Sequence, residues 1–499
     1  MERRNHGIFY LLLVGLITSC SGASAANTPA GNASVSRQDD LALYQTNLIS
    51  NEQSILANFP TATHYTLAIE LVEPYAVIEG QEKITYFNNE DVELNEIYLR
   101  MFPNNGGDLM HVSGLKVTGV ETSFELEFNN TAVRVDLPTA LQPAESVYLD
   151  ITYDVQVPTD FGGNYGLFSY IDGVLALDQI YLIIPIYDDE GWNVEIPATN
   201  GDMVYADPAF FNVTVTAPSE LVIAASGVTV DKQEDGATTI HTILAGPERD
   251  FYLAASEAFV VKSEQVGGTL VSSYYLADYP DGGEYVLGVG VDALQTFNEY
   301  LGTYPYTELD LVGTPMQAGG MEYSGIVALG LQYYDPQAVF SGMSAFTLLE
   351  SATAHEVAHE WFFNMVMSDQ IDEPWIDEGM AQFLTGLYFE DNYGTTSARS
   401  YRDSWDYRWE RVGHEPIAIG LPVREYEDIA YSAIIYGRAP LFIHELRQKM
   451  GDEVFFNFLR TLFLENKWDV LTTEEFRVTA EQACDCDLQQ EFDNWVYPR

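Results

Sequence analysis

Two histidines and a glutamate in the second half of the chain are spaced as metal ligands and a base would be. An apolar stretch of period near 3.6, which predicts a helix, contains His355-Glu356-Val357-Ala358-His359. Residues four apart occupy one face of a helix, so both imidazoles can reach one zinc ion. The Glu356 carboxylate then lies beside the ion and can take a proton from a water molecule held there. Together these residues could perform metal-assisted attack of water on a carbonyl group.

A third candidate ligand, Glu378, lies at the start of the next predicted helical run. A helix, a short connection and a second antiparallel helix would return its carboxylate to His355 and His359. Two histidines and one glutamate leave a fourth coordination position open for water, as catalytic rather than structural zinc sites do. Two histidines four apart can also merely pack in a helix, and the third ligand is what favours zinc.

The segments around these ligands resemble the M1 family of zinc metallopeptidases, the gluzincin aminopeptidases. The family pattern His-Glu-x-x-His-x-Trp-Phe-x-Asn-x-Val is matched by His355, Glu356, His359, Trp361, Phe362, Asn364 and Val366. The pattern Trp-Leu-Asn-Glu-Gly-Phe-Ala is matched by Trp375, Glu378, Gly379 and Ala381, with Ile376, Asp377 and Met380 as substitutions. The resemblance extends over nearly the whole chain after its leader. It implies one Zn²⁺ per chain, held by His355, His359 and Glu378.

A glycine-rich segment upstream looks like the family's Gly-Ala-Met-Glu-Asn segment. It reads Gly319-Gly320-Met321-Glu322-Tyr323, with Tyr323 in place of the final Asn. The resemblance implies that Gly319, Gly320 and Met321 contact the substrate and that Glu322 binds the free α-amino group of a peptide. An enzyme that recognises the free N-terminus of a peptide needs a buried carboxylate that pairs with the ammonium group. Taken alone, the segment would be a glycine-rich turn with an ordinary surface acid.

A third segment, residues 431–446, is similar to the family's Tyr-x-Lys-Gly-Ala helix. The resemblance implies that Tyr436 hydrogen-bonds the tetrahedral oxyanion, with Arg438 where the family usually has Lys. Tyr431, five residues earlier, is the competing candidate. Two further histidines, His414 and His444, are interpreted as packing or surface residues. The set of three ligands is already complete without them.

The elements that must position these residues come in two halves of different pattern. Between residues 41 and 265, short runs of alternating polarity such as 65–71 and 83–87 predict a mostly antiparallel β domain. From residue 266 to 499, longer stretches of helical period, including 344–367 and 440–463, predict a mainly helical domain. The fold class is therefore α+β multidomain. The resemblance implies a saddle-like antiparallel β N-terminal domain followed by a thermolysin-like, mainly helical catalytic domain.

The first forty residues have the composition of an export signal followed by a tether. Two arginines precede a short apolar stretch and then Thr18-Ser19-Cys20, which predicts a signal peptide over residues 1–20. Residues 17–20 also resemble the bacterial lipobox, so Cys20 is predicted to carry a lipid anchor. Residues 21–40, rich in small and polar side chains, are predicted to be a flexible tether. We therefore expect an exported protein, anchored to the bacterial cell envelope, that touches a membrane only through this lipid.

The charge balance excludes one class of partner. The chain has 75 Asp and Glu residues against 22 Lys and Arg, which gives a formal net charge of −53, and no basic patch is visible. Nucleic acid is excluded as a partner, because its phosphates must be neutralised by clustered cations. A hydrophobic content of 47% with 19% charged residues indicates globular domains rather than disorder.

Two cysteines remain once Cys20 is set aside. Cys484 and Cys486 are two residues apart, and a bridge between them would close a very small ring. Free thiols or a surface metal contact are alternatives, and the sequence assigns these cysteines no role.

Peptides are the expected substrates, and the resemblance implies release of their N-terminal residues. Family members commonly continue into a large C-terminal helical domain, whereas this chain ends near the end of the catalytic domain, so we expect a more open cleft. A zinc endopeptidase with the same chemistry is one alternative. A non-catalytic surface binding protein on the same fold is a second, and zinc-dependent epoxide hydrolysis, known within the family, is a third.

Overall fold

The computed structural model of the protein describes residues 41–162, 164–196, 201–427 and 429–497. The predicted signal peptide, the lipobox with Cys20 and the tether of residues 21–40 lie outside these ranges, so their assignment stays a prediction. Within the described ranges, no helix combines the length and the apolar character that crossing a bilayer requires.

The first half of the described chain consists of β-sheets, as its alternating polarity predicts. Its strands are β1 (Thr63–Glu70), β2 (Val77–Phe87), β3 (Leu94–Arg100), β4 (Met110–Val117), β5 (Val120–Glu121), β6 (Glu125–Glu127), β7 (Ala132–Leu141), β8 (Ser146–Gln156), β9 (Phe168–Ile171), β10 (Val174–Leu177), β11 (Tyr187–Asp188), β12 (Gly191–Trp192), β13 (Ala209–Pro218), β14 (Val222–Ala225), β15 (Val228–Asp235), β16 (Thr238–Glu248) and β17 (Leu253–Ser256). Short 3₁₀ helices accompany them at Ala42–Asn47, Gln53–Asn58 and Phe102–Gly106.

The largest sheet has eight strands in the order β15-β16-β13-β1-β2-β8-β4-β5. β1 and β13 pair in parallel, whereas the other neighbours pair antiparallel. Along β1, buried side chains alternate with more exposed ones, so one face of the sheet covers a core and the other faces water. A three-stranded sheet of order β3-β7-β6 and the pair β11-β12 also belong to this half.

A four-stranded sheet of order β14-β17-β10-β9 lies between two hydrophobic cores. Leu175 and Leu177 of β10 pack into the N-terminal core, the cluster that also contains Leu67 of β1. Val174 and Ala176 pack into the C-terminal core, the cluster that contains most of the buried side chains of the second half. All four residues of β10 are buried because each face of this sheet covers a core. The sheet therefore joins the two halves through apolar contacts on both sides.

The second half contains one further sheet and most of the helices. Its strands are β18 (Phe259–Val266), β19 (Thr269–Leu276), β20 (Glu308–Thr314), β21 (Gly320–Tyr323), β22 (Ile326–Gly330), β23 (Val339–Phe340) and β24 (Met343–Ser344). Its helices are α1 (Pro280–Tyr300), α2 (Ala345–His359), α3 (Pro374–Tyr393), α4 (Thr395–Glu410), α5 (Ala430–Ala433), α6 (Ala439–Met450), α7 (Asp452–Asn466), α8 (Thr473–Cys484) and α9 (Gln489–Trp495), with 3₁₀ turns at Leu331–Tyr333 and Val423–Glu425. The five-stranded sheet has the order β18-β19-β20-β22-β21, which leaves β21 at an edge. The predicted fold class, a β-rich half followed by a mainly helical half, is confirmed.

The boundary predicted at residues 265/266 falls inside a hairpin. β18 and β19 pair antiparallel from Phe259↔Leu276 to Val266↔Thr269, and both belong to the sheet of the second half. Alternating polarity alone could not show which sheet β18 joins. The segment that follows residue 40 also belongs with the second half, because Leu48 pairs with Tyr306 and packs into the C-terminal core.

Two of the predicted helical stretches end earlier than their apolar period suggests. In the stretch 344–367, α2 stops at His359, and the amide of Asn364 then donates to the His359 carbonyl, five residues back. The residues that follow are apolar because this loop contacts both cores, with Trp361 in the C-terminal core and Phe363 in the N-terminal core. The stretch 440–463 is divided at Gly451, whose φ of +78° ends α6.

The two C-terminal cysteines form a disulfide, Cys484–Cys486, rather than the free thiols or metal contact that the sequence left open. Helix α8 ends at Cys484, and Asp485 has a left-handed backbone with φ of +49°. That turn brings the two Cα atoms to 5.2 Å, which lies within the ordinary range for a disulfide.

Asp178, immediately after β10, gives the fold a pH dependence. Its side chain is 6% exposed; burial, and then the charge of Asp250, raise its pKa to about 7. Because this pKa is higher in the folded than in the unfolded chain, the fold is favoured at low pH and loses stability as the pH rises from about 4 to 7. We expect Asp178→Asn, which resembles the neutral carboxyl group, to stabilise the fold by up to about 4 kcal/mol at pH 8 and not at pH 4.

Melting temperatures of the wild type and the Asp178→Asn variant at both pH values, at constant zinc, test this expectation. Asp172→Asn, in the exposed turn before β10, is the matched control and should leave the profile unchanged. An Asp178→Asn variant with the wild-type pH profile would show that Asp178 is ionised in the folded protein.

Candidate metal centre and active site

Helix α2 brings His355 and His359 together. Their side chains are buried, and their Nε2 atoms lie 3.3 Å apart. The helix is held on both sides, with α1 and α3 packed against it and β21 and β22 beneath it. Thr353, just before His355 on the same helix, is buried, and its hydroxyl is satisfied because it donates to the Leu349 carbonyl at 2.8 Å.

Glu378 completes a triangle of ligand atoms. It lies in the first turns of α3, which starts at Pro374, a residue suited to a first helical position. Its Oε2 is 3.1 Å from His355 Nε2 and 3.7 Å from His359 Nε2. Two ligands of one zinc ion at tetrahedral angles lie about 3.3 Å apart, so these separations and this donor set fit Zn²⁺. The structure brings together the three residues that the sequence predicts as ligands.

The tautomer of His359 is set by the carboxylate of Asp377, a residue that departs from the family pattern. His359 Nδ1 donates to Asp377 Oδ1 at 2.6 Å, and the carbonyl of Phe362 lies 3.1 Å away. An imidazole that donates from Nδ1 presents its Nε2 lone pair to a metal. Gln370 Nε2 donates to Asp377 Oδ2 at 2.6 Å and to Glu322 Oε1 at 3.2 Å, so one amide links the ligand support to Glu322.

We expect Asp377→Ala to weaken zinc binding about 10-fold to 100-fold, because the imidazole of His359 loses the acceptor that orients it. Competition for zinc with a chromophoric chelator measures the change. Asp377→Asn is the matched variant, since an amide oxygen can still accept from Nδ1, and its loss should be smaller. Equal affinities in the wild type and the alanine variant would contradict a supporting role for Asp377.

Glu356 lies against the glycine-rich segment. A Cβ at Gly320 would meet Glu356 Cγ at 2.5 Å, so in this chain the Glu356 side chain occupies the space that a side chain at position 320 would take. Glu356 lines the same cavity as His355 and Glu378. Burial is the largest influence on Glu356 and raises its pKa to about 7, against the opposing effect of the two histidines. A carboxylate with a pKa near neutrality is suited to take up and return a proton.

Glu322 faces the cavity from β21, the edge strand. It is 5% exposed, and Gly319, Gly320 and Met321 line the cavity beside it. Tyr323, which stands where the family pattern has Asn, turns away from the metal ligands and stacks on Tyr252 with ring centroids 4.0 Å apart. The substitution therefore fills the space below the strand and leaves Glu322 in the cavity.

Tyr436, rather than Tyr431, faces the cavity. It lies in a π-helical turn, Ile434–Arg438, between α5 and α6, and its phenol donates to Glu378 Oε1. Such turns often occur at functional sites. Tyr431 is 5% exposed and packs with its ring centroid 5.9 Å from that of Tyr436.

Arg438 and the two remaining histidines lie away from the metal ligands. Arg438 is buried and donates to the carbonyls of Ile417, Asn494 and Trp495, and so holds the end of α9. His414 is at the surface, with its Nε2 3.2 Å from Asp406 Oδ1. His444 lies beside the side-chain amide of Gln448.

A cavity of about 600 Å³ connects these side chains, a size typical of small-molecule and short-peptide sites. Asp202 and Arg408, which no sequence pattern singled out, also line it. Burial, and then the charge of Glu378, raise the pKa of Asp202. With Glu322, Glu356 and Glu378 also in its wall, the cavity concentrates carboxylates around the ligand atoms and favours cationic groups such as a divalent metal and an ammonium.

Residues 285–495 match the sequence profile of the peptidase family M1 domain. All three predicted metal ligands, together with Glu322 and Tyr436, lie within the matched residues.

Curated relatives are similar over parts of their length. Aminopeptidase M1 of Arabidopsis thaliana is 25% identical over 299 residues, which cover 58% of this chain and 34% of the relative. Aminopeptidase 2 of Candida albicans is 22% identical over 471 residues, or 90% of this chain and 48% of the relative. Aminopeptidase N of Acetobacter pasteurianus is 30% identical over 191 residues, which cover 36% of this chain and 53% of the relative. The chain thus spans about a third to a half of the length of these relatives.

Solved structures share the fold. The M1 zinc metallopeptidase of Deinococcus radiodurans is 21% identical, with a TM-score of 0.65, and the match covers 88% of this chain and 96% of that one. Aminopeptidase A of Legionella pneumophila, in complex with aspartic acid, is 17% identical with a TM-score of 0.69. The match covers 87% of this chain and 49% of that one. The arrangement of a β-rich half before the M1 domain is therefore one that known M1 structures have.

Proposed function

We propose that this protein is a zinc-dependent aminopeptidase that releases N-terminal residues from peptides. The observation that carries the proposal is the position of Glu322. Its buried carboxylate shares one cavity with the His355, His359 and Glu378 ligand set and is tied to that set through Gln370. A negative group fixed beside the metal ligands is what selects a substrate by its free α-amino group.

Binding begins with the ammonium of the substrate. Glu322 accepts hydrogen bonds from it, while Gln370 holds the carboxylate through Oε1 at 3.2 Å. Because Glu322 and the ligands belong to elements packed on one another, β21 on α2, the distance from the bound ammonium to the reacting carbonyl is fixed. A fixed distance limits cleavage to the first peptide bond.

The residues around the ligand set divide the chemistry among them. Zinc, when bound to His355, His359 and Glu378, supplies a Lewis acid that polarises the carbonyl and acidifies water. Glu356 takes a proton from the attacking water and returns it to the leaving amine. Tyr436, whose phenol already donates to a carboxylate in this site, donates to the carbonyl oxygen as negative charge develops there.

The comparisons support a peptide substrate. Relatives in plants, a yeast and a bacterium carry the name aminopeptidase. A variant of the Deinococcus radiodurans enzyme was solved with a Tyr-Ser-Ala substrate. A cavity of about 600 Å³ in this chain is large enough for a peptide of that kind.

Hydrolysis of aminoacyl-amide reporters, each beside its N-acetylated twin, with and without a zinc chelator, tests the proposal. We expect chelator-sensitive cleavage of the free-amine forms, with a kcat/KM far above that of their acetylated twins. Comparable cleavage of both forms would identify an endopeptidase instead. Zinc bound at the site with no cleavage of any reporter would favour a binding protein on the same fold.

A further inference from the structure

Arg408 is the one Lys or Arg side chain among the described residues that line the cavity. It lies on α4, near the end of that helix, and is half-buried. Gly437 brings α4 close to the π-helical turn, since a Cβ there would meet the Trp405 carbonyl at 2.8 Å and Arg408 Cβ at 3.0 Å. The guanidinium carbon consequently lies 5.6 Å from the ring centroid of Tyr436.

Three other arginines of this acidic chain have their donors engaged. Arg134 and Arg447 each form ion pairs with two or more carboxylates. Arg249, which is buried, donates instead to three backbone carbonyls. Arg408 forms no ion pair with any described carboxylate, and its one hydrogen bond there is a long contact of 3.5 Å to Ser432 Oγ. A guanidinium carries five N–H groups, so most of its donors remain for a ligand.

The position of Arg408 relative to Glu322 defines two sides of the cavity. Glu322 adjoins His359 through Gln370 and Asp377, whereas Arg408 adjoins Tyr436. A peptide whose ammonium is held at Glu322 extends past the ligand set toward Tyr436, so its leaving-group part lies on the Arg408 side.

Gln382, also in the cavity wall, adds a second donor. Its Oε1 accepts from the Tyr401 hydroxyl at 2.9 Å, and that bond directs the amide nitrogen, which has no hydrogen bond to another described residue. Arg408 and Gln382 thus each offer N–H groups to an anion in the cavity, and N–H groups are what bind carboxylates in proteins.

We propose that Arg408 binds a carboxylate of the substrate on the leaving-group side of the scissile bond, and that the enzyme therefore prefers short peptides whose C-terminal carboxylate, or whose acidic side chain, reaches it. This inference rests on the proposed aminopeptidase function and adds the class of peptide. The net charge of −53 repels anions at long range. A preference for an added carboxylate therefore requires a local cation, and Arg408 is the one that the described cavity wall offers.

Two pairs of substrates and three variants test the inference. Dipeptides X-Ala are compared with X-Ala-amide, and X-Glu-amide with X-Gln-amide, so that a carboxylate is present in one member of each pair. In the wild type we expect the carboxylate member of at least one pair to have a kcat/KM about 10-fold to 100-fold higher than its neutral twin. Arg408→Gln should bring that ratio close to one, and Arg408→Lys should retain part of it, because the charge remains while the fork of donors is lost. Arg399→Gln, an exposed arginine on the same helix, should keep the wild-type ratio.

The pair that shows the preference identifies the source of the carboxylate, the chain terminus for X-Ala and the side chain for X-Glu. A wild-type ratio near one in both pairs, with the neutral peptides cleaved, would overturn the Arg408 inference and leave the aminopeptidase standing. A ratio that survives Arg408→Gln would overturn it in the same way, since another group would then bind the carboxylate. Failure to cleave any of the peptides would overturn the proposed function and the inference with it.

Discussion

We expect Glu356→Gln to keep its zinc and to lose turnover, with kcat lower by about 10²-fold to 10⁴-fold, the usual contribution of a positioned acid and base. The amide has the shape of the carboxylate and fits the space that Gly320 leaves beside Glu356, so the ligands need not move. It cannot accept and return a proton, however, and that is the role assigned to Glu356. Metal analysis of the purified variant, beside kcat on a free-amine reporter, measures both parts of the expectation.

Glu299→Gln, an exposed glutamate on α1, is the matched control for this experiment. It changes the same functional group at the surface and should leave kcat unaltered. A Glu356→Gln variant that turns over like the wild type would remove Glu356 from the mechanism. Loss of zinc from the variant would instead assign it to holding the metal.

Glu322→Gln is expected to lower kcat/KM for free-amine substrates by about 30-fold to 5000-fold. The substrate ammonium would then enter a buried site without its opposite charge, which costs about 2–5 kcal/mol. The fold should survive, because Gln370 Nε2 can donate to the new amide oxygen as it now donates to Glu322 Oε1 at 3.2 Å. Free-amine reporters and their acetylated twins, measured on both proteins, give the change in selectivity.

The selectivity ratio distinguishes this role from a structural one. If Glu322 binds the ammonium, the preference for free over acetylated substrates falls along with kcat/KM. An equal loss on both substrates would show that the substitution damages the site as a whole. An unchanged preference would place the amine site on another group, and Asp202, in the same cavity wall, would be the first candidate.

Much of the site could be predicted because its spacing is local. His355 and His359 are four residues apart on one helix, so helical geometry brings them together. Glu378 follows in the first turns of the next helix, and an antiparallel arrangement of the two helices returns it to the histidines. Asp377 carried a signal as well, since it precedes Glu378 and departs from the family pattern. Its bond to His359 Nδ1 depends on how α2 and α3 pack, which no spacing reveals.

The other cavity residues come from distant parts of the chain. Asp202 precedes β13 and Arg408 is on α4, and only the tertiary structure places them on one cavity. Gln370 lies in the loop after α2, and only the fold brings its amide to Glu322. The same reason explains why the boundary predicted at residues 265/266 falls inside a hairpin. β18 has the alternating polarity of any half-buried strand, and its membership of the second sheet is set by its pairing with β19.

The four-stranded sheet buried between the two cores makes the second half of this chain depend on the first for part of its core. Val174, Ala176 and Ala254 belong to the core of the second half although they precede the strand β18 with which its own sheet begins. A gene fragment encoding the second half alone would specify a protein with one wall of its core missing, and such an apolar face drives aggregation. Recombination that separated the two halves would therefore expose this face in both products.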